Sequence, residues 1–139
     1  MISLGVLLFL AFVLPTAHAQ TDTVPNGTYG GEIHDSTGPI GGMELTFSPP
    51  PPSERRGNHF RAEWLSLELE VGGRHITPTI RAVRLRDDEI FFSFDLDGRV
   101  VKVAAVYVVN KLRGTLKVHE DGGEKEELTF ELTLGSSMP

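Results

Sequence analysis

An all-β protein is predicted, an antiparallel meander of about eight short strands curled into a small barrel. Three observations carry that prediction. Apolar residues recur with a period of two in one segment after another, and turn residues separate those segments. No segment sets apolar residues at helical spacing over three turns or opens with a helix N-cap signature. A two-sheet β-sandwich is the alternative arrangement of the same strands. Closure is favoured because it removes the open edges through which sheets aggregate.

The elements follow in order. Met1 to Leu14 is an almost unbroken apolar run, and Ala17 and Ala19 place small residues where a signal peptidase reads. Its apolar core is too short to cross a bilayer as a helix. Residues 1–19 are therefore expected to be a cleaved signal peptide, with an uncleaved anchor as the alternative. Secretion or a periplasmic location follows from cleavage. Gln20 to Asn26 is polar and expected to be loose, and a single β domain is expected over residues 27–135. Met43, Leu45 and Phe47 alternate with polar residues, as one buried sheet face requires. Pro49 to Pro52 cannot join a ladder. With Ser53 to Asn58 it forms a polar connector, or else a docking segment or a lid over the barrel mouth.

Further on, Phe60, Ala62 and Trp64 share one phase, but Leu65, Leu67, Leu69 and Val71 share the other, so a bulge or bend is expected near Trp64 and Leu65. The same slip between Ile80 and Val83 predicts a bend at Arg81 and Ala82, and Pro78 indicates an edge or bulge position. Ile90, Phe92, Phe94 and Leu96 form one clear strand. Arg99 to Val109 is apolar on both faces, which predicts a central strand covered on two sides or one at an intermolecular contact. Leu112, Gly114, Leu116 and Val118 form another strand, and Leu128, Phe130, Leu132 and Leu134 the last. Gly72-Gly73, Asp87-Asp88, Asp97-Gly98 and Asp121-Gly122-Gly123 mark the turns between strands.

Composition excludes several function classes. There is no cysteine, so disulfides, thiolate catalysis, a lipid anchor on a leading Cys and sulfur-ligated zinc are all ruled out. Stability must come from burial alone. A cysteine-free exported chain points to a bacterial source. The formal net charge is −6, all of it outside the leader, which repels nucleic acid. Basic clusters at Arg55-Arg56 and at Arg81, Arg84 and Arg86 are interrupted by acidic neighbours, so they read as a solvated face of mixed charge.

Gly27-Thr28-Tyr29 resembles the Gly-X-Trp signature that opens lipocalins, and the comparable Gly-Thr-Trp of avidin-like barrels, with Tyr29 in place of the Trp. The resemblance implies an eight-stranded barrel. It also implies that Gly27 and Tyr29 plug one barrel end, with Arg113 packing nearby from a late strand. The chain lacks the lipocalin cysteine pair and C-terminal helix pattern. It is also similar to exported bacterial β domains that begin Gly-Thr-aromatic-X-Gly and in some cases accompany hydrolase domains. A shared fold implies no particular ligand.

The chemistry is sparse. No serine sits in a Gly-X-Ser-X-Gly elbow, and His34, His59, His75 and His119 are scattered singly, with no metal-ligand spacing. Asp95-Leu96-Asp97-Gly98 and Glu120 to Glu124 resemble fragments of calcium loops but lack the full ligand series, so they read as hairpin turns. Asn26-Gly27-Thr28 is a glycosylation sequon. Phe47, Phe60, Trp64, Phe92, Phe94, Tyr107 and Phe130 lie mostly in the buried phase. They either line an apolar ligand cavity or simply fill the barrel. The functional expectation is a non-enzymatic exported binding domain without a cofactor. It takes a small apolar ligand, or a protein or envelope partner. A metal-assisted enzyme using the histidines and a purely structural interaction module are the alternatives.

Overall fold

The computed structural model describes residues 24–51, 62–121 and 123–139. The expected signal peptide, Phe60 and His59 lie outside them. Nine antiparallel strands form one strongly curled, half-barrel sheet: β1 (Gly27–Asp35), β2 (Gly38–Phe47), β3 (Leu65–Val71), β4 (Arg74–Ile76), β5 (Ile80–Arg86), β6 (Glu89–Leu96), β7 (Arg99–Val108), β8 (Lys111–Glu120) and β9 (Gly123–Leu134). The sheet order is β4-β3-β2-β1-β9-β8-β7-β6-β5, so every neighbour in the chain is a neighbour in the sheet except across the β4–β5 junction. There the two sheet edges are consecutive in sequence. The first and last strands pair at the sheet's centre, Tyr29 opposite Leu134 and Ile33 opposite Phe130.

The edges explain why nine strands replace the expected eight. β4 pairs only with β3, through Leu69↔Ile76 and Val71↔Arg74, whereas β5 pairs only with β6, through Ile80↔Phe94 and Arg86↔Glu89. Both pairings are antiparallel, and only Thr77 to Thr79 separate β4 from β5, so the chain passes directly from one sheet edge to the other. Pro78 sits in that link, where its missing N–H breaks no ladder bond. Immediately after it, the register of β5 slips by one residue between Arg81 and Arg84, and Ala82 takes a positive φ of 55°. That is the bend expected at Arg81 and Ala82.

Of the bulge or bend expected near Trp64 and Leu65, the structure shows the bend: Ala62–Trp64 forms one 3-10 turn, and the strand begins afterwards at Leu65. A 3-10 turn advances the chain without alternation, so the two apolar runs need not share a phase. β7 is central, between β6 and β8, but is not covered on both sides. Val101, Val103 and Ala105 are buried, whereas Lys102 and Val108 are exposed and Val100, Ala104 and Val106 are half-buried.

The core lies on the concave face. Its largest fully buried side chains include Tyr29, Phe47, Phe94, Ile33, Met43 and Leu45, and among the described residues no polar or charged residue is buried. Val24 is 1% exposed, so the last part of the expected loose segment packs into the domain. After β9, Gly135 N donates to Thr28 O at 2.8 Å and Met138 N to Glu44 Oε2 at 3.1 Å. This C-terminal segment crosses the outer face of β1 and β2, over Gly30 and Gly42, where a Cβ would collide with it or press upon it.

Candidate functional site

The two ends of the curled sheet differ. At one end the interior is filled. Tyr29 is fully buried and meets Tyr107 edge-on, with ring centroids 6.3 Å apart and planes at 83°. Its hydroxyl donates to Pro25 O at 2.5 Å. Burial, with a smaller contribution from Tyr107, raises the Tyr29 phenol above its ordinary pKa. Tyr107 is in turn held by its hairpin: Asn110 N donates to its hydroxyl at 3.1 Å, and the hydroxyl donates to Asn110 Oδ1 at 3.3 Å. Val24, Phe47, Leu112 and Leu134 occupy the same end.

At the opposite end the apolar lining leaves room. A cavity of about 200 Å³ is walled by Ile33, Ile40, Leu69, Val71, Phe94, Leu96, Val101, Leu116, Val118 and Leu128, with Asp97, Arg99 and Glu126 at its rim. These residues come from seven strands, most of them close to the hairpins that follow or precede them, which is why they share one end. The mouth is surrounded by ion pairs. Arg74 Nη1 lies 3.0 Å from Asp97 Oδ2, tying the β3–β4 hairpin to the β6–β7 hairpin, and Arg99 Nε lies 2.7 Å from Glu120 Oε1. The Arg74 guanidinium holds the Asp97 carboxyl below the usual carboxylate range. Both pairs are substantially exposed, so they order the rim more than they stabilise the fold.

The sequence-predicted site residues divide accordingly. Of the aromatics, Phe94 lines the cavity, and Phe47, Phe92 and Phe130 fill the core. Trp64 ends the 3-10 turn and Tyr107 packs on Tyr29, both away from the cavity. The cavity wall is mainly aliphatic. Gly27 begins β1 and Tyr29 closes the filled end, but Arg113 does not join them. It lies on the outer face with its side chain 57% exposed and its Nε 2.7 Å from Glu131 Oε2. Tyr107 occupies the place beside Tyr29 instead. The proline segment leaves β2 after Phe47, at the filled end, so Pro49 to Pro51 do not cover the cavity.

The histidines are not brought together. His34 on β1, His75 on β4 and His119 on β8 belong to strands at least two positions apart in the sheet. His34 Nε2 is 3.8 Å from Glu32 Oε1, His75 Nε2 is 3.7 Å from Glu68 Oε1, and His119 Nε2 is buried without a partner. Among the described residues no three His, Asp or Glu side chains could hold a metal ion. The calcium-like fragment at Asp95 to Gly98 is a hairpin whose carboxylates are both engaged, Asp95 with Arg81 and Asp97 with Arg74.

No protein-family model, curated protein or solved structure matches this chain. Among the described residues no helix is long and apolar enough to cross a membrane.

Proposed function

We propose that this protein is an exported, non-enzymatic binding domain that takes a small apolar molecule into the open end of a lipocalin-like barrel. The asymmetry between its ends carries the reading. One end is plugged by Tyr29, Tyr107 and Val24, and the other keeps an apolar cavity of about 200 Å³ whose polar groups stand only at the rim. Such a site rewards apolar burial at roughly 25 cal/mol per Å² and lets a polar terminus of the ligand reach solvent beside Arg99 and Glu126. The cavity is small for a ligand pocket, which favours a medium-length alkyl chain or a single ring over a large polycyclic cargo. Barrel closure belongs to the same proposal: the short β4–β5 link brings the two sheet edges side by side.

Calorimetry with n-octanol tests this directly. Saturable binding is expected in the wild type, and Leu128→Phe, which pushes a ring into the cavity from a half-buried position, should weaken it at least about tenfold. Binding that is absent in the wild type, or unchanged in a folded Leu128→Phe variant, overturns the reading. A second reading, a protein or envelope partner docked on the outside, rests on Val108 and Val109, which stand exposed at the tip of the β7–β8 hairpin.

A further inference from the structure

The outer face of β5 to β8 carries a second feature, independent of the cavity. Cross-strand register sets two rows there. Arg84, Phe91, Ala104 and Thr115 form one, and Ser93, Lys102 and Lys117 form the next. Ala104 is the small residue between Phe91 and Thr115, and the dip above it opens into a groove of about 350 Å³. The groove lies at the lower end of the size range of small-molecule sites.

Its charge is unusual for a domain of net charge −6. Lys102 and Lys117 are directly opposite one another across β7 and β8. Like charges in that position repel and destabilise a sheet. Neither makes an ion pair among the described residues, although Glu127 lies next to Lys117 on β9. Of the other carboxylates on this face, Asp95 is paired with Arg81 and Glu131 with Lys111 and Arg113, and Glu89 stands opposite Arg86 in the register. Arg84 completes the set. Its guanidinium carbon stands 5.1 Å from the centroid of the Phe91 ring, which orients it without neutralising it.

The backbone supports the same conclusion. Arg84 reaches this position because β5 bulges between Arg81 and Arg84, and Ala82 within the bulge holds a φ of 55° that an alanine adopts only at a cost. Ala82 itself lines the groove. A strained bulge that aims a cation over an aromatic ring, next to two lysines in mutual repulsion, is a local arrangement that a bound anion would stabilise.

We infer that this groove is a binding site for a small oligoanion, a molecule carrying at least two carboxylate or phosphate groups, held by Lys102, Lys117 and Arg84. Thr115 supplies a hydroxyl donor, Ser93, whose hydroxyl donates to Arg81 O at 3.5 Å, lines the groove beside it, and Phe91 and Ala104 supply apolar contact. Arg84 can engage a carboxylate or phosphate with two parallel N–H donors, and the lysines act as point charges.

Inorganic pyrophosphate is the probe, with sodium chloride matched in ionic strength as control. In the full chain, pyrophosphate should raise Tm and bind saturably, and matched chloride should not. Lys102→Gln with Lys117→Gln should weaken pyrophosphate binding at least about tenfold. The same double variant without ligand should be no less stable than wild type, since it removes a repulsion. Ala104→Leu, which fills the dip on the outer face, should also block binding while n-octanol binding at the barrel mouth stays intact. A pyrophosphate effect equal to that of chloride, or one undiminished in the double variant, overturns the assignment.

Discussion

Tyr29 shows how one residue sets the character of a whole end of the molecule. Its ring is fully buried, and its hydroxyl is satisfied by Pro25 O, so a polar atom sits in the core without the penalty of an unmade hydrogen bond. Because burial raises its pKa, the folded state resists ionisation whereas the unfolded chain ionises near the ordinary value of 10.0. Below that pH the contribution is fully present. As pH rises above it, unfolding releases a proton that folding must recapture, and stability falls progressively towards the raised folded pKa. Tyr29→Phe should lose about 1 kcal/mol at neutral pH through the missing hydrogen bond and should flatten the alkaline loss. Urea melts between pH 8 and pH 11 check both; an alkaline slope unchanged by the substitution would exclude Tyr29 as its source. The sequence pointed to Tyr29 but misassigned its neighbour, because Arg113 and Tyr107 lie on opposite faces of adjacent strands and a three-residue likeness carries no face information. Gly114 was legible only as a gap in an apolar series. Its reason is spatial: a Cβ there would overlap the Ala104 carbonyl oxygen and come within 2.8 Å of Phe130 Cζ.

Hairpins were read well wherever glycine marked them. Gly72-Gly73 and Asp97-Gly98 lie at the β3–β4 and β6–β7 turns, with φ of 61°, 78° and 79° at the three glycines. Asp87-Asp88 marked the β5–β6 turn without glycine, but two other hairpins were not marked in the sequence. The β1–β2 turn uses an aspartate, Asp35, whose Oδ1 accepts from Thr37 N at 2.7 Å and from Thr37 Oγ1 at 2.6 Å. The β7–β8 turn uses Val109 and Asn110, at φ of 42° and 65°, where Asn-Gly would be the ordinary choice. A β-branched residue in left-handed conformation is strained, and Val109 is also 80% exposed, so no packing compensates the strain. Val109→Asn should therefore stabilise the isolated protein by about 1 kcal/mol, read as a higher urea midpoint at unchanged slope. If the tip docks an outside partner, the same variant binds that partner less well, and a stability gain without any effect on association leaves the strain unconnected to docking.

At the scale of the whole molecule, the sequence conveyed the meander but not where it would be weakest. Period-two patterning identifies strands and faces, and short turns imply antiparallel neighbours. Nothing local reveals that β4 and β5, three residues apart in sequence, form the two opposite edges of the sheet, because pairing is a long-range property. The consequence is an uneven sheet. β1, β9 and β8 lie at its middle, pair along both sides, and carry Tyr29, Ile33, Leu112, Phe130 and Leu132 in the core. β4 and β5 each pair on one side only, β4 is just three residues long, and in β5 only Ile80 is buried. Sub-global opening should follow that gradient, since local stability tracks buried apolar contact and protected backbone hydrogen bonds. Native-state hydrogen exchange should find the amides of Arg74 to Arg86 exchanging first. Those of Tyr29 to Ile33, Leu112 to Leu116 and Phe130 to Leu132 should exchange only with global unfolding. Occupation of the cavity mouth by n-octanol should slow exchange in β4 more than in β5, because the ligand would press on Leu69 and Val71, to whose strand β4 is paired, whereas β5 supplies no residue to the wall. Uniform protection from β4 to β9 would mean that the seam is as tightly closed as the rest of the sheet, and the proposed asymmetry of opening would fail with it.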